Sequence, residues 1–250
     1  MIKLAVFFLV AVVFFYGSVM PCMAATKADR VAVEASVKAE LGKDLAHSLP
    51  DKSLWSERSC LDGRSAADFQ GNVIEYWVNL ECPYCGIAEP FKAQTDNQGI
   101  CIVVRHASSI QYGEALKKAI SYEALGKFSQ NAANRFWEAI APKTALAIPI
   151  PYGSALQTDL EETAVGQEMF AEEIEKASQL VSSDILASQE LIFSTPTYVL
   201  EGIRFPACDF KAAQIPHALE LAKKARAGDM AAKSEIVDII TRGLLDEQLL

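Results

Sequence analysis

The stretch "NVIEYWVNLECPYCGIAEPFKAQTDNQGICIVVRHA", residues 72–107, decides the fold. Residues 72–80, "NVIEYWVNL", are rich in β-branched and aromatic side chains and read as a strand. Residues 99–107, "GICIVVRHA", read as a second strand. Between them the pattern predicts a helix over 82–96, opening on two cysteines separated by Pro83 and Tyr84. Strand, helix and strand at this length form a βαβ unit, which builds parallel sheet.

The Cys82–Cys85 pair is half a metal site or a redox couple. A structural zinc site needs four ligands, commonly two such pairs or a Cys pair with a His pair. The other cysteines here are isolated, and His47, His106 and His217 are far apart in sequence. Two thiolates alone suffice for Cu(I), which leaves a copper-binding alternative. The redox reading uses the context better. At a strand-to-helix junction, unpaired N–H groups and the helix dipole favour a thiolate at Cys82. The thiolate is the species that attacks a disulfide. Cys85, one turn further in, is placed to attack the resulting mixed disulfide. Glu81, beside Cys82, opposes the thiolate if its charge lies close.

Composition narrows the class. A chain of 250 residues buries a sizeable core and suits one domain with additions, or two small ones. A net charge of −9 with no basic run excludes a general nucleic-acid binder. Lys3 is followed by "LAVFFLVAVVFFY" and then by "GSVMPCMAA", the pattern of a secretory signal peptide over residues 1–24, cleaved near Ala24. The apolar run falls short of the roughly 20 residues that a membrane anchor needs. Cleavage discards Cys22 and leaves Cys60, Cys82, Cys85, Cys101 and Cys208 in an oxidising compartment. Beyond the 82/85 pair, any two of Cys60, Cys101 and Cys208 can form a structural disulfide, with one left over.

Residues 25–70 read as an N-terminal helical extension and a connector. Val33, Val37, Leu41 and Leu45 form an i, i+4 stripe on a helix over 27–47, with Glu34, Lys38, Lys43 and Asp44 available for its other face. The stripe either covers the main core or pairs two copies of the chain as a homodimer. Residues 50–71 are polar and read as connector. Residues 111–190 form a helical block: helices over 112–126 and 129–141, a loop from Pro142 to Gly153, a helix over 165–181 and a short one over 182–191. In "STPTYVLEGIRFPA" (194–207), "TYVL" and "IRF" flank Glu201-Gly202 as a β-hairpin. A helix over 210–227 ends at Gly228, and Asp229 caps another that runs to Arg242.

Together these features resemble the thioredoxin superfamily, and within it the exported Dsb branch. Cys82-Pro83-Tyr84-Cys85 follows a strand and opens a helix. Pro90 sits five residues after Cys85. Thr195-Pro196 precedes a strand, as does the family's cis-proline loop, and a helical block separates that loop from the second strand, as in DsbA-like proteins. The resemblance covers residues 70–227. It implies an α/β chain with a thioredoxin fold, whose two parts (71–110 and 191–227) are split by the helical insertion (111–190). The helical extension (25–70) precedes this fold and the C-terminal helix (228–250) follows it.

It also implies catalytic Cys82 and Cys85, and a substrate site of Thr195, cis Pro196, Pro83 and Tyr84, with no cofactor and no bound metal. The implied partners are unfolded exported proteins and a DsbB- or DsbD-like membrane redox protein, in the periplasm. Formation of disulfides leads over isomerase or reductase duty of the DsbC or DsbG kind, with a non-catalytic metal-binding or chaperone module as the rival class. One position departs from the family. Where it often buries an acid, six residues before the first cysteine, this chain has Tyr76, and Glu75 one residue earlier is the candidate proton relay.

Overall fold

The computed structural model describes residues 27–47, 49, 55–107, 113–141, 151–192, 194–206 and 210–246. The signal reading over 1–24, Cys22 and Cys208 lie outside them. The elements are α1 (Lys27–Ala46), β1 (Asn72–Val78), α2 (Ala88–Asp96), β2 (Ile100–His106), α3 (Gly113–Phe128), α4 (Gln130–Ile140), α5 (Tyr152–Thr163), α6 (Gln167–Leu191), β3 (Thr197–Leu200), β4 (Ile203–Pro206), α7 (Ile215–Arg226) and α8 (Met230–Asp246). Among the described residues no helix is long and apolar enough to cross a membrane.

The strands form one sheet in the order β2-β1-β3-β4. β1 and β2 are parallel, with Val78 level with His106, and the remaining pairs are antiparallel. β1 is buried over its last five residues and β2 throughout, as strands covered on both faces must be. The two faces carry different chemistry. Ile74, Tyr76 and Val78 enter the main core with Ile102, Val104, Trp137 and Phe136. Cys101 and Val103 join Trp55, Cys60 and Ala66 on the other face. The segment 55–71 is thus a packed flap, joined to β2 by a Cys60–Cys101 disulfide.

The apolar stripe of α1 belongs to the chain's own core: Val37 and Leu41 are buried, with Val33 and Leu45 packed beside them. The stripe thus serves the first of its two alternatives, cover for the main core. Asp44 is corrected. It is buried, and it accepts hydrogen bonds from the Arg204 backbone N–H (3.0 Å) and Nε (2.7 Å). Edge strand β4 would otherwise present that N–H for pairing with another chain.

The 201–202 connection is the expected hairpin, with Glu201 at φ 49° and Gly202 at φ 71°, both left-handed. Arg226 straddles it, donating to Glu201 O and, from Nη2, to Asp44 O at 3.0 Å. A Cβ on Gly202 would stand 2.5 Å from Arg226 Nη2. Gly202→Ala is therefore expected to destabilise the fold by about 1–2 kcal/mol, the cost of a left-handed residue with a side chain. A lower urea midpoint at unchanged slope would measure it.

Several helix boundaries differ from expectation: α7 begins at Ile215 rather than at 210, and α8 runs past Arg242 and Gly243 to Asp246. α2 starts at Ala88, six residues after Cys82. α6 is one 25-residue helix, because Ala177, Val181, Ile185 and Ser188 continue a single buried stripe through Ser182-Ser183. α5 occupies a stretch left unassigned by its sequence, since only Ala155 and Asp159 of it are buried. The Asp229 cap forms as expected: Oδ1 accepts from the N–H groups of Ala231 (2.8 Å) and Ala232 (3.1 Å).

Candidate active site

Cys82 and Cys85 occupy successive turns between β1 and α2. The Cys82 N–H donates to Asn79 O (2.9 Å) and the Cys85 N–H to Cys82 O (3.1 Å). This corrects the expectation of a helix opening at Cys82. The N–H groups that face its sulfur belong to Tyr84 and Cys85 in the turn, and not to a regular helix end. Cys82 is half-buried, Cys85 is 2% exposed, Pro83 is exposed, and Tyr84 stands out at 69% exposure. Neither cysteine is in a disulfide.

The pairing of β1 with β3, which sets Trp77 opposite Thr197, brings the 194–196 loop to the Cys pair. The Thr195–Pro196 bond is cis, and Pro196 is buried. As a thiol, Cys82 Sγ donates to Thr195 O at 3.4 Å, across 113 residues of sequence. Thr197 Oγ1 closes the loop onto Ser194 O at 2.8 Å. Four of the expected residues therefore meet at one point: Cys82, Cys85, Thr195 and Pro196.

The two sulfurs differ in acidity. The Cys85 thiol, donating to the Cys82 thiolate, lowers the Cys82 pKa from 9.0 to about 6. Burial acts against this, and the Tyr84 N–H, the Thr195 side chain and the Cys85 N–H act with it. Cys85 moves the opposite way, well above its ordinary value, first because it is buried and then because the Cys82 charge lies beside it. One sulfur is thus ionised and accessible at neutral pH while the other stays protonated and enclosed.

Glu75 does not belong to this site. Side chains alternate along a strand, so Tyr76 and Glu75 face opposite ways. Tyr76 lies beneath the Cys turn, its phenol donating to Gly86 O at 2.9 Å. Glu75 is on the far face, accepting from Trp77 Nε1 (2.8 Å), Trp55 Nε1 (3.4 Å) and Arg105 Nη1 (2.7 Å). Its place under the cysteines is taken by Tyr76, stacked on Tyr198 with ring centroids 4.6 Å apart. Burial raises the phenol pKa of both. The period of two in β1 separates Glu75 from Tyr76, but which of them lies under the turn depends on where α2 and β3 pack.

Lys118 of α3 is a further member. Its Nζ lies 3.1 Å from Glu81 Oε1, and so compensates the charge next to Cys82. Lys118→Gln is expected to leave Glu81 uncompensated and raise the Cys82 pKa, a like charge disfavouring the thiolate. The upward shift would be read from ultraviolet thiolate absorbance against pH.

No family model matches the sequence, and neither does any curated protein. Solved structures do resemble it. A thioredoxin-like oxidoreductase from Silicibacter pomeroyi DSS-3 superposes with a TM-score of 0.52 at 17% identity, covering 70% of this chain and 99% of that one. The thiol-disulfide exchange protein α-DsbA2 from Wolbachia pipientis gives 0.48 at 13% identity, covering 80% and 100%. Reduced DsbG from Mycobacterium tuberculosis gives 0.41 at 20% identity, covering 68% and 84%. The first of these likenesses, with the β2-β1-β3-β4 sheet and the cis-proline loop against the Cys pair, makes the fold thioredoxin-like.

Proposed function

We propose that the chain is an exported thiol–disulfide oxidoreductase that forms disulfides in other exported proteins through Cys82 and Cys85. The observation that carries this reading is the division between the sulfurs, an accessible Cys82 with a pKa near 6 and a buried Cys85 well above its ordinary value. In disulfide formation a substrate thiolate attacks Cys82 Sγ of the oxidised pair. The internal S–S bond breaks, and Cys85 leaves as a thiolate and takes a proton. A second substrate thiolate then attacks the sulfur bonded to Cys82, the substrate disulfide forms, and Cys82 leaves as a thiolate. Two electrons pass from substrate to pair. Thr195 and Pro196 flank Cys82 and, with exposed Pro83 and Tyr84, would receive an extended substrate segment.

Stabilisation of the reduced pair supports this direction. A Cys82 thiolate held by hydrogen bonds favours the reduced form, which makes the couple a stronger oxidant. Equilibration against glutathione is the test. A potential above about −180 mV is expected of an oxidase, and one near about −270 mV, in the range of thioredoxin, would overturn that direction and favour a reductase. A stoichiometric Cu(I) content that blocks thiol titration would instead favour the metal-binding alternative. The leader over residues 1–24 supports export, and the family resemblance supports resetting by a DsbB- or DsbD-like membrane protein.

A further inference from the structure

Among the described residues the cysteines form two pairs, which sit on opposite faces of the sheet. Cys60 and Cys101 are bonded and 0% exposed, enclosed by Trp55, Ala66 and Val103 with Phe69 and Val73 beside them. Cys82 and Cys85 are free thiols packed on the main core, with Cys82 half-buried. The cover over the bonded pair is the 55–71 flap, which is fastened along the outer edge of β2. Arg64 Nη2 donates to Ile100 O (3.0 Å), the Leu61 N–H to Ile102 O (3.0 Å) and Arg58 Nη1 to Val104 O (2.9 Å). Alternate carbonyls of that edge are thus taken by one short segment, in the way that an added strand takes them. Asn134 Nδ2 of α4 holds the flap from outside, donating to Leu61 O at 2.7 Å.

Exchange at a sulfur needs a thiolate to reach it. With the flap closed, sulfurs at 0% exposure offer no such approach. The chain's own Cys82–Cys85 pair cannot reach them either, because the sheet stands between the two faces. The pairs differ also in the form that is favoured. Thiolate stabilisation at Cys82 favours the reduced form of its pair. Enclosure, and a ring closed across a sequence separation of 41, favour the bonded form of Cys60 and Cys101. Electrons therefore run downhill from Cys60 and Cys101 thiols to an oxidised Cys82–Cys85 pair, provided that the two meet while the flap is open.

We propose that the open form of this chain is itself a substrate of the Cys82 site: an oxidised second copy installs the Cys60–Cys101 disulfide before the flap closes on β2. Cys60, on the undocked flap, is the freer sulfur, and its thiolate attacks Cys82 Sγ of the copy. A Cys60–Cys82 bond forms, the copy's Cys82–Cys85 bond breaks, and Cys85 leaves as a thiolate and takes a proton. The Cys101 thiolate then attacks Cys60 Sγ, the Cys60–Cys101 bond forms, and Cys82 leaves as a thiolate. Two electrons pass to the copy, and the protons of Cys60 and Cys101 pass to solvent. Closure of the flap puts the new bond beyond reach of the reduced copy, so the transfer is not undone. The inference rests on the exchange reading above and names one of its substrates.

The test pairs two full chains. The disulfide donor is the native chain, oxidised at Cys82–Cys85. The recipient carries Cys82→Ser and Cys85→Ser and is isotope-labelled, reduced, unfolded in urea and diluted without oxygen into native buffer with the donor. Alkylation and peptide mapping follow the labelled Cys60–Cys101 bond with time. It is expected to form at least about tenfold faster than with oxidised glutathione at the same concentration, since Cys82 is the more acidic leaving thiol. A rate no faster than that, or bonds made through Cys208 in place of Cys60–Cys101, would overturn the proposal. A second measurement needs no variant. Reduced glutathione at a level that opens every Cys82–Cys85 bond of the native chain should leave Cys60–Cys101 intact, and loss of both bonds together would overturn the proposal too. Dithiothreitol separates the two readings. A donor whose Cys82–Cys85 bond it cannot reduce brings down the exchange reading and this inference together. A donor that it reduces, but that passes no disulfide to the recipient, sinks only the inference.

Discussion

A Cys82→Ser chain is expected to fall to the uncatalysed rate of exchange with oxidised glutathione, while a Cys85→Ser chain still attacks and stops at the mixed disulfide. The difference follows from burial and acidity. Only a thiolate attacks a disulfide, and serine at neutral pH supplies neither the charge nor the sulfur. Cys85 cannot substitute for Cys82, because it is 2% exposed and its thiol stays protonated. Peptide mapping would find glutathione on Cys82 in the Cys85→Ser chain and none on Cys85 in the Cys82→Ser chain. The native pH profile gives a second reading of the same chemistry. Alkylation of Cys82 should climb through a midpoint of about 6, where an ordinary cysteine rises near 9.0. The sign extends to stability. A depressed folded pKa stabilises the reduced protein fully above the unfolded value, and that contribution is lost as pH falls through about 6. The oxidised protein, with no thiol at Cys82, lacks this dependence. A Cys82→Ser chain that retained exchange, or an adduct that formed equally on both variants, would remove Cys82 from its role.

How far the sequence discloses this arrangement depends on whether a feature is local. The strands over 72–80 and 99–107 are legible within two residues, because β-branched and aromatic runs have no competing helical period. The hairpin is legible because Glu-Gly between two short apolar runs leaves few other turns. The meeting of Thr195 with Cys82 is legible only through the family resemblance, since 113 residues separate them. What escaped is what tertiary packing decides. Residues 82–87 carry no signal that distinguishes two turns from a first helical turn, so α2 was expected six residues early. Glu75 looked like a buried acid below the cysteines, and it is a buried acid, but on the face that the 55–71 flap covers. The polar composition of that flap concealed Trp55, Leu61 and the Cys60–Cys101 disulfide.

That far face supports the largest stability prediction. Asp184, on α6, is fully enclosed, and its Oδ1 accepts from Arg58 Nη2 and Arg105 Nε, each at 2.6 Å, while Oδ2 accepts the His106 N–H at 3.1 Å. One carboxylate thereby joins the flap, β2 and the helical block. Arg105 also reaches Glu75 (2.7 Å) and lies over the Trp77 ring, and Glu123 of α3 accepts from Arg58 (3.4 Å) and contacts His106 Nε2 (2.9 Å). Asp184→Ala removes the charge that two buried guanidiniums share and leaves, among the described residues, Glu75 and Glu123 as the carboxylates paired with them. Removing one partner of a buried ion pair costs about 3–5 kcal/mol, mostly because the surviving charge stays desolvated. A loss of that size is expected in urea unfolding, and it should be equal in reduced and oxidised protein, since Asp184 lies on the face away from the cysteines. Lys38→Ala, which breaks an exposed pair with Glu34 at 2.6 Å, should leave the midpoint unchanged. Glu75→Gln separates the structural role from proton relay: it should lower stability through Arg105, and leave the pH profile of glutathione release as in the native chain. A loss below about 1 kcal/mol for Asp184→Ala would mean that water reaches Arg58 and Arg105, and the far face would then not be the closed polar junction that the packing of Trp55, Trp77 and α6 makes it.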